Sequence, residues 1–356
     1  MVRWTGVVLV GSALWWGGLA QAQGQGRAAG QGLVTGMSAD SAPQGADVLE
    51  NIVKLGTVTV QGRQPGPRLW RVTKGDHTLW VLATLSPLPN GLEWDSTAVV
   101  ERVKASHAVL WLPSFSMGVD AGFFSKVYLG YKFLQVTKNP DGKTLKEVLP
   151  AATYARWTAV KPQLLGRKSG IERFRPIVAA EGLYGAALKK LGLSESKKVL
   201  ETVRAAAKEN KIPLVVPELS VKTKEPKKLL ALASRITLNG EIECLNATLD
   251  TLQNDLPVIR SNALAWAQGD VGGIHVERLR HRNQVCQDVF FGSELMRAVG
   301  VSDVESQVQT IWLNKATEAL AKNRTTFAVL PFSNISGPRS YLKALEARGY
   351  KVTAPQ

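Results

Sequence analysis

The sequence predicts an α/β fold with a central mixed β-sheet and helices packed on it. Three observations favour this class. Strand and helix patterns alternate along the chain, and a largely helical middle segment, about residues 140–322, separates two ends that contain strands. A third is that the two ends share a strand-loop pattern. We expect residues 67–356 to form a single α/β domain.

The first 22 residues have the features of a secretory signal peptide. Arg3 supplies the positive start, Val7 to Trp16 is mostly apolar, and Ala20-Gln21-Ala22 is a small-residue cleavage site. A retained membrane anchor is the alternative, but the apolar run is shorter than the roughly 20 residues that cross a bilayer. We therefore expect a periplasmic or secreted protein whose mature chain begins at Gln23 and has no transmembrane span.

Residues 23–66 are predicted to be a flexible leader with one short edge strand. The segment from Gln23 to about Asn51 is rich in Gly, Ala, Gln and Ser and shows no apolar periodicity. The candidate edge strand is Val58-Thr59-Val60, and Gly62 to Pro67 is a turn. Ordered structure is expected to start near Leu69.

The folded body opens with a predicted hairpin, followed by a helix and a strand. The hairpin turn is Lys74-Gly75-Asp76, and Asp95 or Ser96 can cap the helix, which runs to about Ser106. The predicted strands are Leu69–Val72, Thr78–Thr84 and Ala108–Leu112.

The rest of the chain is predicted to be mostly helical, with a few short strands. Two helices are expected between Lys227 and Ala267, broken near Asn239-Gly240 or at Asp255 to Pro257. The other predicted helices are Leu145–Val160, Ile177–Leu191, Ser196–Asn210, Gln307–Lys322 and Ser340–Arg348, and the predicted strands are Ile212–Val216, Thr325–Leu330 and Lys351–Thr353. The last strand is expected to close the same sheet.

Two cysteines, Cys244 and Cys286, lie in helix-like segments. An even count in an exported chain favours a disulfide that would join two helices. Two buried thiols are the alternative.

The formal net charge of +15, or +14 without the signal peptide and its single cation Arg3, points to solubility and to anionic partners. Export argues against nucleic acid, and the basic runs lack the interleaved aromatics of a single-strand binding surface. Anionic envelope polymers and lipid headgroups remain candidate partners. The basic runs themselves are more typical of solvated faces; they are Lys222/Lys224/Lys227/Lys228 and Arg278/Arg280/Arg282.

Two distant strands can be laid over each other. Thr78 to Ser86 matches Thr326 to Asn334 at a threonine, a valine and a leucine, and both segments run into loops containing Pro or Gly. Periodicity alone does not separate this match from the similarity of any two buried strands.

The order of these pieces resembles the TraB/GumN family, relatives of the Tiki-type metal-dependent proteases. The resemblance covers about Leu69 to Val352 and is loose in the middle helices. The matching pieces are Gly66–Val72, Thr78–Pro89, Ala108-Val109-Leu110, Trp312, Ala316–Leu320 and Phe327–Tyr350 with its continuation to Val352. Two Gly-x-x-His loops and a strand-end glutamate are implied to hold a divalent metal in that family.

This chain departs from the family pattern at every one of those positions. The first Gly and His positions are Ala83 and Ser86, the glutamate position is Trp111, and the second Gly and His positions are Pro331 and Asn334. An Arg-Asn pair expected ahead of the tryptophan helix is replaced by Val308-Gln309.

Metal hydrolysis needs imidazole or carboxylate ligands and an open coordination position. A serine hydroxyl, an asparagine amide and an indole do not supply them, so we expect no metal, no other cofactor and no catalytic residue. Ser86 and Asn334 can be ordinary turn residues and Trp111 a core residue. Alternatively, the degenerate pocket still binds a peptide or a glycan end.

Two rival functions stay open at this level. One is an active hydrolase of the family type, with a divalent metal, or with a relocated site such as Ser86 beside Glu93 or Asp95. No nucleophile-elbow motif surrounds any serine, and His275 and His281 lack a metal-ligand spacing. The other rival is a basic protein that coats anionic envelope polymer.

Overall fold

The structure, a computed structural model, describes most of the chain from Ala46 onward. The described residues are 46–119, 136–167, 170–195, 197–223, 225, 231–232, 237–292 and 294–355. The predicted signal peptide, the leader up to residue 45, and three lysines of the first basic run (Lys224, Lys227 and Lys228) lie outside them.

The predicted α/β class is confirmed by a mixed six-stranded sheet with helices packed around it. The strands are β1 (Leu69–Lys74), β2 (His77–Thr84), β3 (Leu88–Pro89), β4 (Val109–Leu110), β5 (Ser114–Val119), β6 (Leu193–Ser194), β7 (Leu214–Val215), β8 (Glu218–Thr223), β9 (Thr325–Pro331) and β10 (Lys351–Thr353). The main sheet has the order β10-β1-β2-β9-β4-β7. Its first three strands pair antiparallel, and β2, β9, β4 and β7 are parallel. The C-terminal strand closes the sheet, as predicted.

The helices occupy the middle of the chain and flank the sheet. They are α1 (Ala46–Leu55), α2 (Thr97–Lys104), α3 (Leu145–Val148), α4 (Ala151–Leu164), α5 (Pro176–Lys190), α6 (Lys198–Glu209), α7 (Leu238–Asn254), α8 (Leu256–Gln268), α9 (Arg280–Phe291), α10 (Glu294–Ala298), α11 (Val304–Lys322), α12 (Phe332–Ile335) and α13 (Tyr341–Ala347). In the described part of the chain, no helix combines the length and apolar character that crossing a membrane requires.

The sheet forms because its strands are apolar at the positions that face helices. Val72, Leu79 and Val81 are buried, and they follow the two-residue alternation of strands. Strand β9, the predicted buried strand, is buried at each of its five inner positions. The β1–β2 hairpin turns at Gly75, whose positive φ of 59° is accessible to glycine at little cost.

The residues that the structure describes form three apolar clusters, two of them large; the small one contains Met117, Met296, Val301, Val304 and Val308. Of the two large clusters, one surrounds the main sheet and includes Trp312 of α11 and Trp266 of α8. The other is helical and joins α1, α4, α5, α7, α8 and α9. A disulfide between Cys244 of α7 and Cys286 of α9 crosslinks this helical core, so the bridge joins two helices as expected.

Several element boundaries differ from the predictions. Ala46–Leu55 is helical although a flexible leader was expected, because Val48 and Ile52 pack into the helical core. Val58-Thr59-Val60 is not a strand; the Val58 amide donates to the Leu191 carbonyl oxygen at 2.8 Å. Pro150 divides the helix expected over Leu145–Val160, since proline cannot donate the internal hydrogen bond of a helix.

Between Leu238 and Gln268 the helical segment is broken at Asp255, one of the two predicted places; most of residues 227–236 lie outside the described part of the chain. Pro257 is in the first turn of α8, where a missing amide proton costs little. The parallel pair β5–β8 and the short pair β3–β6 were not predicted.

The arginine run of α9 and the preceding turn is not a uniformly solvated face. Arg282 is only 6% exposed; its guanidinium contacts Glu181 at 2.7 Å and lies over the Tyr184 ring. Arg280 donates to the Ser336 carbonyl oxygen at 3.2 Å. Arg278, the most exposed of the three, pairs with Asp255 at 3.3 Å. The prediction is therefore wrong for Arg282, which holds helices together.

Candidate functional site

The three strand ends singled out by the sequence lie side by side. Strand β9 is flanked by β2 and β4, and all three run parallel. Their carboxyl ends therefore reach the same edge of the sheet, where open α/β sheets bind ligands. The register places Ala83 beside Leu330 and Leu110 beside Ala328. Trp111 follows Leu110, so along the strand direction it lies slightly before the level of Ala83.

The two strands of the sequence repeat are direct neighbours. The sheet pairs Val81 with Ala328 and Leu82 with Val329, whereas the repeat lays Val81 on Val329. Neighbouring central strands share the same burial, which accounts for their similar apolar pattern.

An indole from α8 covers the end of β2. The Trp266 Nε1–H donates to the carbonyl oxygen of Ala83 at 2.8 Å, and both residues are buried. Phe332, the first residue of α12, lies at the same place. Together with Arg68 and Val271 they line a cavity of about 10 Å³, which is room for about one water molecule. The Trp266 and Phe332 rings, with one hydrogen bond to the Ala83 carbonyl, thus leave little open space beside Ala83.

Trp111 is a core residue with a cation on its ring. It is 8% exposed, and its amide donates to the Val215 carbonyl oxygen at 2.8 Å. The guanidinium carbon of Arg204, on α6, is 4.8 Å from the ring centroid. The glutamate position of the family is therefore occupied by an indole in contact with a positive charge.

Asn334 lies in the short helix α12 directly after β9. Its side-chain amide hydrogen-bonds the hydroxyl of Tyr341, and its Oδ1 accepts from Ser333 at 3.3 Å. Burial raises the pKa of Tyr341 to about 12, and the Asn334 hydrogen bond opposes that rise. The Tyr341 ring packs against Trp312 of α11 at a centroid distance of 5.4 Å. Asn334 thus links the loop after β9 to the core.

The remaining two predicted positions have no polar contact of this kind. Ser86 is exposed just beyond β2, and Pro331 ends β9 and precedes α12. The structure brings the five positions to one edge of the sheet, but Trp111 and Asn334 contact different neighbours, Arg204 and Tyr341.

Neither carboxylate proposed for a relocated site is arranged to activate Ser86. Asp95 accepts from the Thr97 amide at 3.1 Å and from the Thr97 hydroxyl at 2.6 Å, and it contacts Arg63 at 2.9 Å. These contacts, led by the Thr97 hydroxyl, lower the Asp95 pKa, as expected of a helix-capping carboxylate. Glu93 is exposed and lines an open cleft with Arg63 and Lys198.

Three of the histidines each have a polar contact of their own. His77 and His107 each place Nδ1 near a backbone carbonyl oxygen, at 2.8 and 3.1 Å, and His275 contacts Glu277 at 3.4 Å. The described residues contain no group of three His, Cys, Asp or Glu side chains that could hold a metal ion.

The fold and the strand-end site define a class: an α/β protein with a candidate site at the carboxyl ends of parallel strands. The sequence matches the TraB/PrgY/gumN family over residues 68–354. Because the match covers most of the chain, the protein belongs to that family. No curated protein and no solved structure matches the sequence.

The residues at the strand ends do not fit the divalent metal that the family resemblance implies. The donors available are a hydroxyl and an amide that is engaged with Tyr341, and the third position presents an indole. The Arg204 guanidinium at that indole would repel a second cation. We therefore derive no reaction step through a metal here.

Sequence reasoning missed Trp266, Arg204 and Tyr341, the side chains that define these environments. Trp266 and Arg204 lie on helices far along the chain from the strand ends that they contact, whereas Tyr341 begins the helix that follows shortly after Asn334. The separation between Trp266 and Ala83 is 183 residues, and neither residue has a motif that signals the other.

Proposed function

We propose that this protein is an exported member of the TraB/PrgY/gumN family that lacks metal-dependent hydrolysis and acts as a binding factor in the cell envelope. The observation that carries the proposal is the set of local partners at the strand ends. Ala83 is held by Trp266, Trp111 by Arg204, and Asn334 by Tyr341.

The contacts of Trp266 and Arg204 work against metal-dependent hydrolysis in different ways. A water activated by a metal needs an open coordination position, and Trp266 with Phe332 narrows the space beside Ala83 to a cavity of about 10 Å³. A metal also needs negative or neutral basic ligands, and Trp111 brings a cation to this edge instead. The changes reinforce one another, as expected if catalysis were lost and the fold kept.

Binding remains chemically reasonable at the same edge. Ser86 and Ser333 are exposed hydroxyl groups after β2 and β9, and hydroxyls both donate and accept hydrogen bonds. Such groups suit a peptide or a glycan end, which are the ligands we propose for this edge.

Metal content is the direct test. The purified protein would be incubated with zinc, manganese and cobalt, passed through a desalting column, and measured by inductively coupled plasma mass spectrometry. We expect well below one ion per chain. A stoichiometric ion that survives the column would overturn the proposal and favour the metal-dependent hydrolase instead.

A restored variant is the matched positive control. Its substitutions are Ala83→Gly, Ser86→His, Trp111→Glu, Pro331→Gly and Asn334→His. A smaller variant, Ser86→His with Asn334→His, keeps the buried residues in case the first fails to fold. Folding is checked by circular dichroism. Restored variants that fold without gaining metal affinity would show that the residue correspondence with the family is wrong.

Export is tested separately on the expressed full chain. We expect intact mass spectrometry of the periplasmic or secreted fraction to show a mature chain that begins at Gln23. Replacing Ala20 and Ala22 by aspartate should block processing, because the cleavage site requires small residues. An unprocessed wild-type chain in the cytoplasm would refute the localisation.

A further inference from the structure

One face of the main sheet is left polar at its β10 edge. Along β1, Val72 is buried on one face, while Arg71 is exposed and Thr73 half-buried on the other. Side chains alternate between faces along a strand, and directly paired residues share a face. The register pairs Arg71 with both Thr353 and Trp80, and Thr73 with both Lys351 and Thr78. These side chains therefore form one continuous surface over three strands.

Three cations lie across this surface: Lys351, Arg71 and Arg102. Together with Trp80 they form what we call the cationic stripe. Lys351 is the diagonal neighbour of Arg71, a relationship that places Cα atoms about 7–8 Å apart. Arg71 is directly opposite Trp80, and the Arg102 guanidinium of α2 lies 4.3 Å from the Trp80 ring centroid. All three cations are exposed.

No carboxylate balances these charges within the three strands. The sequences of β1, β2 and β10 contain no aspartate or glutamate. Asp76, in the turn between β1 and β2, is bound to Arg324 at 3.0 Å. Helix α2 carries two cations and one carboxylate, Glu101. Cations this close repel one another, and an anionic partner would relieve the repulsion.

Trp80 and the side chains beside the stripe favour one class of anionic partner over the others. Thr73, Thr78 and Thr353 are half-buried and add hydroxyls that can bond sugar hydroxyls. One face of Trp80 is covered by Arg102, which leaves the ring poorly placed to stack on a nucleic-acid base. The exposed large apolar side chains of the described residues are Val53, Val216 and Phe290, all outside the stripe, and Trp80 is half-buried beneath Arg102, which disfavours insertion into a bilayer.

We infer that the cationic stripe binds a carboxylated polysaccharide. This inference names a partner for the proposed envelope-binding role and rests on that role, but it uses a surface distinct from the strand-end positions. It also replaces the arginine run near α9 as the anion-binding region, since Arg282 is buried in an ion pair there.

The test measures retention of the purified full chain in gels that contain polygalacturonate, with dextran as the neutral reference. The stripe variant is Arg71→Gln with Lys351→Gln. The matched control is Lys146→Gln with Lys208→Gln, which removes the same charge from two exposed lysines elsewhere. Thermal unfolding of each variant confirms that the fold is kept.

We expect the stripe variant to bind polygalacturonate about tenfold more weakly than the wild type, and the control variant to bind within about twofold of it. Retention should also weaken as salt approaches roughly 0.15 M, because exposed charges are screened. Equal losses in both variants would show a nonspecific charge effect and overturn the inference. So would retention only by anionic lipid vesicles or by single-stranded DNA, run as parallel probes.

The two proposals can fail separately. Metal content measured on the same preparation reports on the strand-end site, whereas polysaccharide retention reports on the stripe. If the protein binds neither metal nor polygalacturonate, the inference about the stripe is refuted and the proposal about the strand-end site stands.

Discussion

The Trp266 Nε1–H donates a hydrogen bond to the Ala83 carbonyl oxygen at 2.8 Å, in a buried contact between α8 and the end of β2. An unpaired buried carbonyl costs about 1–3 kcal/mol. Trp266 therefore stabilises the strand end at which a family member of the metal-dependent type would need space. The same side chain packs edge-to-face against Trp94, with ring centroids 6.1 Å apart.

Replacing Trp266 by phenylalanine should show how much this hydrogen bond contributes to the free energy of unfolding. The matched control is Trp312→Phe, because Trp312 is equally buried and its Nε1 has no partner among the described residues. We expect Trp266→Phe to lower the free energy of unfolding by about 1–3 kcal/mol more than Trp312→Phe. Urea titration followed by circular dichroism measures both. Equal losses would mean that ring volume alone matters.

Reduction of the disulfide should weaken the helical core. Cys244 and Cys286 are 42 residues apart, and closing a loop of that length stabilises the fold by about 4 kcal/mol in the chain-entropy picture. We expect dithiothreitol to lower the urea midpoint of the wild type. The double variant Cys244→Ala with Cys286→Ala should unfold at a low midpoint that dithiothreitol does not change. A wild type insensitive to complete reduction would contradict this.

Gly337 should tolerate a methyl group less well than Gly349. Both have φ near +80°, but a Cβ at Gly337 would collide with the Arg280 guanidinium, whereas Gly349 has open space. We expect Gly349→Ala to cost about 1–2 kcal/mol for the backbone alone, and Gly337→Ala to cost more. In an Arg280→Ala background the two costs should become equal. If the difference persists there, Arg280 is not its cause.

Tyr341 should ionise later than an ordinary tyrosine. Burial raises its pKa to about 12, above the value near 10 of an unfolded chain. The contribution of neutral, buried Tyr341 to the stability of the fold is therefore fully present below about pH 10, and it is lost as the pH rises toward 12. Absorbance titration at roughly 295 nm, where tyrosinate absorbs, should show a late step that Tyr341→Phe removes.

The variant Asn334→Ala tests the same hydrogen bond from its other end. Because the Asn334 hydrogen bond lowers the Tyr341 pKa, its removal should shift the late step to still higher pH. A shift to lower pH would mean that Asn334 does not stabilise the tyrosinate form.

Much of the fold could be predicted because periodicity and turn chemistry are local. The β1–β2 hairpin follows from apolar alternation around Gly75, and helix α5 follows from an apolar face that begins at Pro176. The helix Ala46–Leu55 could not be predicted, because its order depends on Val48 and Ile52 meeting a distant helical core.

The candidate site was only partly accessible to sequence reasoning. The resemblance to the family identified Ala83, Trp111 and Asn334 as positions to examine. It could not supply Trp266 or Arg204, whose contacts with Ala83 and Trp111 cross long stretches of chain, nor the contact of Asn334 with Tyr341 on the next helix. Contacts of this kind leave no periodic pattern, since each depends on how whole helices pack.

By itself, the sequence determined the α/β class, the family and the absence of His and Glu at the strand-end positions, because these depend on residue identity and local order. The tertiary structure alone decided which side chains surround the strand-end positions. It packs Trp266 on the Ala83 carbonyl and Arg204 on Trp111, and it makes Lys351 the diagonal neighbour of Arg71 on the paired strand. Strand register and helix packing bring residues together from distant parts of the chain, and neither can be calculated from local pattern.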